Sequence, residues 1–161
     1  RAFGYMRIVG SGELGKVLEK FGIEPLTQGF TLNAFAERFK ARKTGVKALL
    51  MNQALFAGIG NIYADESCFA AGIRPRRRAA SLTRVEIKRL FQSIERVLKQ
   101  AIKERGTTFN DYVDPYGRKG NFMKFLKVYG RGGEACKRCK MMLKKTKVAG
   151  RGTVFCPRCQ T

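Results

Sequence analysis

Histidine is absent from all 161 residues. That removes the commonest general base, and it means that any zinc site must be built from cysteine or carboxylate. Acidic residues are scarce: 12 Asp and Glu stand against 33 Lys and Arg, a formal net charge of +21. The chain is 44% hydrophobic, so it is expected to fold, and an excess of that size on a foldable chain points to a polyanion, most often nucleic acid. A membrane surface is the rival partner. The chain has no apolar run of transmembrane length and no signal peptide, so no membrane association is expected. The cations are spread through the whole chain rather than gathered in one tail, which suits a wrapped groove better than a lipid-binding segment. The length suffices for one domain with a core, plus a small appendage.

Five cysteines are present, and four of them form two pairs, Cys136-Lys137-Arg138-Cys139 and Cys156-Pro157-Arg158-Cys159. In a basic, signal-free chain such pairs read as metal ligands rather than disulfides, and an intracellular location is expected. Each pair forms a knuckle with two thiolates, and four thiolates complete a closed tetrahedral site for one Zn2+. With every position filled by sulfur, the ion is structural and not catalytic. The segment between the knuckles reads as a β-hairpin, with arms at 141–148 and 153–155 and a tip at 149–152. Arg151, flanked by Gly150 and Gly152, is placed at that tip, where it is shaped to grip a phosphate. Cys68 lies beside Phe69 in an apolar helix and reads as a small core residue.

The stretch Ala57-Gly58-Ile59-Gly60-Asn61-Ile62-Tyr63-Ala64-Asp65-Glu66 separates two apolar helical segments, 46–55 and 62–71, the second closed by Gly72. Glycines at a helix entrance permit positive φ and close backbone approach. Asn61 stands where a cap residue would stand. Two readings are open: a tight helix–helix turn with a capping Asn, or a backbone nest for one phosphate at a helix N-terminus. The charge balance favours the second.

The rest of the chain frames these motifs. Residues 11–21 are expected to form a short helix with Leu14, Val17, Leu18 and Phe21 on one face, ended by Gly22. A second helix follows Thr31, with Leu32, Phe35, Ala36 and Phe39 inward. Residues 74–78 read as a charged linker. Thr83-Arg84-Val85-Glu86 is a capping box. It opens the longest helix, whose apolar stripe runs from Ile87 through Leu90, Phe91, Ile94, Val97, Leu98 and Ala101 to Ile102, with a stop at Gly106. Residues 107–122 carry no helical stripe and are too long for an ordinary connection. Residues 125–133 read as a short strand entering a glycine turn.

Taken together, the 57–66 stretch, Val128-Tyr129-Gly130-Arg131 and the ending Arg151-Gly152-Thr153-Val154-Phe155-Cys156-Pro157-Arg158-Cys159-Gln160 closely resemble the C-terminal two-thirds of the bacterial formamidopyrimidine-DNA glycosylase (Fpg/Nei) family. The resemblance covers essentially the whole chain. It implies a mainly α fold, a helix–two-turns–helix bundle followed by a small four-cysteine zinc β-hairpin module. The expected divisions are 1–10, the end of a preceding β-rich catalytic domain; 11–106, the helix–two-turns–helix domain; 107–127, a lesion-capping loop region; and 128–161, the zinc finger.

The implied activity is excision of oxidised purines (8-oxoguanine and formamidopyrimidines) with abasic-site lyase cleavage. The implied partner is double-stranded DNA carrying an oxidised base or abasic site, bound by a monomer in the bacterial cytoplasm at the nucleoid. Asn61, with Gly60 beside it, is expected to hold a phosphate next to the lesion, and Arg151 the neighbouring one. Arg1 is expected to read the orphaned cytosine, and Phe3 to wedge into the stack, a fit to the physics of base flipping. Tyr129 and Lys47 are expected near the DNA. Thr107, Thr108, Phe109 and Tyr112 belong to the loop that closes over the flipped base.

The family's nucleophile is an N-terminal proline amine followed by a glutamate. This sequence starts at Arg1, so no catalytic residue is assigned and the isolated chain is expected to be inactive. A non-catalytic zinc-containing nucleic-acid-binding protein is the alternative. Charge and zinc suit both; the 57–66 stretch, Arg1 to Gly4 and the long loop suit the glycosylase.

Overall fold

The computed structural model of the chain describes residues 8–107 and 120–161. The expectations for Arg1, Phe3, Thr108, Phe109 and Tyr112 lie outside these residues. Among the described residues, helices α1 (Leu14–Leu18), α2 (Leu32–Glu37), α3 (Val46–Leu50), α4 (Asn61–Ala71) and α5 (Arg84–Lys103) precede one antiparallel hairpin, β1 (Lys144–Val148) and β2 (Arg151–Phe155). The architecture is the expected helical bundle followed by a small hairpin module.

The bundle is built on α5. Thr83 Oγ1 accepts from the Glu86 N–H at 3.3 Å, and the Glu86 carboxylate accepts from the Thr83 N–H at 2.8 Å, so the capping box is closed at both ends. Arg77 donates to the same carboxylate at 3.0 Å and holds Glu86 down to about 2. Ile87, Leu90 and Ile94 are buried in the main core. Against them stands an aromatic cluster: Phe30 stacks on Phe91 at 4.7 Å, and Phe35 meets Phe39 at 4.8 Å and Phe56 at 5.0 Å. Ile102 is not part of the stripe and is 68% exposed, because one further residue turns the side chain about 100° away from buried Ala101.

Four local expectations are corrected. The first helix ends at Leu18, and Leu14, Leu18 and Phe21 are each at least half exposed. Gly22 is needed for a close approach rather than a helix stop: a Cβ there would lie 2.1 Å from the Leu55 carbonyl carbon. Next, α3 stops at Leu50, where the expectation ran to residue 55. Residues after it are held in two turns by the Gln53 amide, which accepts from the Gly58 N–H at 2.9 Å and donates to the Ile59 carbonyl at 3.0 Å.

Residues 74–78 are a strap, not a free linker. Pro75 and Arg77 carbonyls accept from the Lys47 and Val46 N–H groups at 3.0 and 2.9 Å, satisfying the start of α3. Finally, residues 125–133 form no strand. The backbone N–H groups of Lys127, Val128 and Tyr129 go to one buried carboxylate instead of a strand partner. The glycine turn does follow, with Gly130 and Gly133 both at positive φ.

Candidate nucleic-acid interface

The interface is organised by α4. Gly60 is its N-cap, in extended conformation, and Asn61 is the first helical residue; the expectation that Asn61 is the cap is corrected. Only Gly58 of the two glycines uses the left-handed region, at φ +80°. Because the cap has no side chain, no side-chain oxygen serves the helix start, and no acidic residue sits in the first turn. The opening N–H groups therefore point outward at the positive end of the helix dipole, an arrangement that suits an anion. Asn61 Oδ1 is buried and accepts no hydrogen bond, which leaves the amide N–H2 as the outward donor.

Asn61 forms one wall of a cleft of about 670 Å³, shared with Tyr129, Lys145, Lys147 and Gly152. The opposite wall is the hairpin. Its turn is the two-residue Ala149-Gly150, at φ +48° and +72°, the geometry that matches strand twist. Arg151 is therefore not at the tip, as expected, but opens β2 opposite Val148, with Gly152 opposite Lys147. Its side chain is exposed, next to the residue that lines the cleft.

Two consecutive acids on α4 hold these walls in place. Asp65 Oδ2 accepts from the Val154 N–H of β2 at 3.2 Å. Glu66 accepts from the N–H groups of Lys127, Val128 and Tyr129 at 2.8–3.1 Å. Desolvation by burial pushes Asp65 up to about 6 and raises Glu66, with Lys47 and the three N–H groups respectively pulling them back. Lys47 corrects another expectation. It is fully buried, with its ammonium 2.7 Å from Asp65 Oδ1, 2.9 Å from the Gly152 carbonyl and 2.7 Å from Thr153 Oγ1. All three of its donors are used, so it is a strut between α3, α4 and β2 and offers nothing to DNA. Sequence reasoning assigned Asp65 and Glu66 no role. The signal was there: α4 contains two acids and no Lys or Arg, so their counter-groups must be tertiary.

The four cysteine sulfurs lie within 4.8 Å of one another, a group compatible with holding a metal ion. Both knuckles turn a backbone N–H toward a sulfur, Arg138 toward Cys136 at 3.4 Å and Cys159 toward Cys156 at 3.3 Å. Phe69 of α4 packs in the same small core as Cys136, Cys156, Leu143 and Val154. Gln160, the last residue of the quoted ending and given no role by the sequence, is fully buried and links the Cys156 N–H at 2.8 Å to the Ile73 carbonyl at 2.9 Å. Cys68 is buried, and burial pushes its thiol far above the ordinary range, as befits a core residue. Thr107 bridges Asn121, so the described residues that flank the loop region lie side by side. Gly120 makes this possible, since a Cβ there would lie 2.2 Å from the Gly106 carbonyl oxygen.

Fold and site together define a helix–two-turns–helix domain joined to a four-cysteine finger. The model of the formamidopyrimidine-DNA glycosylase H2TH domain matches residues 21–112, and that of the zinc finger found in FPG and IleRS matches residues 133–161. The chain belongs to the formamidopyrimidine-DNA glycosylase family. The formamidopyrimidine-DNA glycosylase of Desulfitobacterium hafniense is 49% identical over 141 residues, covering 86% of this chain and 52% of the relative. That of Symbiobacterium thermophilum is 49% identical over 147 residues, covering 90% and 48%. The MutM (Fpg) structure from Thermus thermophilus superposes with a TM-score of 0.86 at 41% identity, over 93% of this chain and 57% of that one. Lactococcus lactis Fpg in complex with abasic-site DNA gives 0.87 at 37% identity, over 95% and 57%. The chain thus spans about half the length of the curated relatives it matches.

Proposed function

We propose that the chain is the damaged-DNA-binding part of a bifunctional DNA glycosylase and abasic-site lyase that removes oxidised purines. Its substrate is double-stranded DNA with an 8-oxoguanine, a formamidopyrimidine or an abasic site, bound by a monomer in the bacterial cytoplasm. The single observation that carries this reading is the clamp at Asp65. Asn61 and Asp65 lie one turn apart on α4, and Asp65 bonds the backbone of β2 three residues beyond Arg151. Two phosphate-binding elements are thereby fixed to one rigid helix. Asn61 and the open N–H groups at Gly60 hold the phosphate beside the lesion; Arg151 holds the next; Tyr129 lines the groove between. Arg1 and Phe3 serve the orphaned cytosine and the vacated stack, and Thr107, Thr108, Phe109 and Tyr112 belong to the cover over the extruded base.

One zinc ion, held by Cys136, Cys139, Cys156 and Cys159, fits the donor set. Four thiolates saturate it, so it supplies a fixed hairpin rather than a Lewis acid. The surrounding chain does the binding: the hairpin presents Arg151, and the groove carries Lys145 and Lys147.

The test is anisotropy titration of the zinc-loaded 161-residue chain with a duplex carrying an abasic analogue opposite cytosine, against an undamaged duplex, across a salt series. Preference for the lesion that is lost in both Asn61→Ala and Arg151→Ala is expected. Equal binding to both duplexes, unchanged in the two variants, contradicts the reading.

A further inference from the structure

A second cleft, of about 420 Å³, opens between α4, α5 and the first cysteine knuckle. Its floor is apolar, with Phe69, Val97 and Phe125, and its rim carries Arg96, Lys137 and Arg138. Lys127 adds a fourth cation. The sole acid lining it is Glu66, whose carboxylate is already taken by three backbone N–H groups. Glu66 also interacts electrostatically with Lys127, so the one acid offsets only part of the four-cation lining and the cleft stays net positive. The positive charge continues along the outer face of α5, where Arg96, Lys99 and Lys103 outnumber one acid, Glu95, in a shallow depression shared with Gln92 and Gln100. Apolar floors ringed by cations recognise acidic segments that carry an apolar anchor.

This cleft is not part of the groove described above. Asn61 and Asp65 face one, and Glu66, Phe69 and Ala70 face the other. At 3.6 residues per turn these two sets point roughly 110° apart around the α4 axis. A duplex seated against Asn61 and the hairpin leaves the second cleft on the flank.

We propose that the cleft is a docking site for an acidic peptide segment of a partner protein, with one aromatic or aliphatic side chain seated against Phe125 and Val97. Single-stranded nucleic acid fits less well, because it needs open ring faces to stack on. The Phe69 ring is covered by the Arg138 guanidinium, 4.6 Å from its centroid. Phe122 is buried and stacked with Phe125 at 6.3 Å. What stays accessible is Phe125, 38% exposed, with one ring face stacked on Phe122, together with the cations. That surface suits a carboxylate-rich chain with a buried anchor.

The test uses the zinc-loaded 161-residue chain and a fluorescein-labelled heptapeptide of six aspartates ending in phenylalanine. Saturable binding is expected, weakened about tenfold when the peptide's phenylalanine is replaced by alanine. It is weakened about fivefold by either Arg96→Glu or Phe125→Ala. These positions are exposed, and unchanged circular dichroism melts establish that the variants fold. Both variants keep wild-type affinity for abasic-analogue duplex, and saturating duplex leaves peptide binding in place. Three outcomes overturn the proposal. One is no saturation up to about 1 mM peptide. Another is displacement of the peptide by duplex, which would put it in the Asn61 groove. The third is tighter binding of an eight-residue oligothymidylate that is lost in the same two variants, which would make the cleft a single-strand site.

Discussion

Replacing Lys47 by alanine is expected to damage this protein more than any exposed lysine substitution, although Lys47 cannot reach a ligand. The ammonium and its partner carboxylate are both at 0% exposure and 2.7 Å apart. Removing the cation strands Asp65 in the interior, and breaking a buried pair in this way costs about 3–5 kcal/mol. That is a large share of the roughly 5–15 kcal/mol typical of a folded domain. It also frees the Gly152 carbonyl and Thr153 hydroxyl that the ammonium joins to α3, so the hairpin loosens. The double variant Lys47→Met with Asp65→Asn buries no charge and keeps an acceptor for the Val154 N–H. It is expected to return at least about 2 kcal/mol of the loss.

The pH dependence has a definite sign. Asp65 stands at about 6 in the folded chain against an ordinary 3.8, so it takes up its proton more readily when folded. On its own it favours the folded state below about pH 4, and that contribution is lost as pH rises through 6. Without Lys47 its pKa rises further, so the deficit of Lys47→Ala relative to the parent is largest at pH 8 and shrinks towards pH 5. Urea denaturation of the zinc-loaded proteins at both pH values is the assay. A loss below about 1 kcal/mol, or one that does not change with pH, refutes the reasoning.

Other substitutions test other parts. Glu86→Ala opens the capping box and releases Arg77, and should lower stability by about 1–3 kcal/mol in urea melts. With Glu86 held near 2, that contribution is present above about pH 4.5 and lost as pH falls towards 2, so the variant and parent converge in acid. Gly22→Ala drives a methyl group into the Leu55 backbone and should cost about 1–3 kcal/mol or more by the same assay. Chelation of the metal should abolish duplex binding while most helical circular dichroism survives, because the main core lies in the helices and the finger has its own small core. Alkylation followed by mass spectrometry should leave Cys68 unmodified in the native zinc-loaded chain and modify it in denaturant; rapid native labelling would contradict its burial.

What could be read in the sequence follows from how local its cause is. The capping box at Thr83, the α5 stripe and the Gly72 stop rest on neighbours a few residues apart, and all three stand as expected apart from Ile102 at the stripe's end. The cysteine spacing likewise foretold a four-sulfur cluster. Failures occurred where a distant group decides. Residues 125–133 read as a short strand, but Glu66, some 60 positions earlier, takes the N–H groups of Lys127, Val128 and Tyr129. Lys47 looks like any basic residue of a basic chain until Asp65 and β2 close over it. Two flanking glycines suggest the hairpin tip for Arg151, whereas the turn uses Ala149-Gly150 and puts Gly152 inside the ladder. Leu14, Leu18 and Phe21 share a face with no buried surface among the described residues to meet it.

The central claim is that Asn61 and Arg151 hold two different phosphates from one rigid frame. It is tested most directly by a duplex series with an abasic analogue in which single phosphates near the lesion are replaced, one at a time, by neutral methylphosphonates. Binding of the 161-residue chain and of Asn61→Ala and Arg151→Ala is measured to each. The account requires two sensitive phosphates: neutralising one costs the parent affinity but leaves Asn61→Ala unaffected, and neutralising the other does the same for Arg151→Ala. If no phosphate couples to either residue, or if both residues couple to the same one, the two-point grip is wrong.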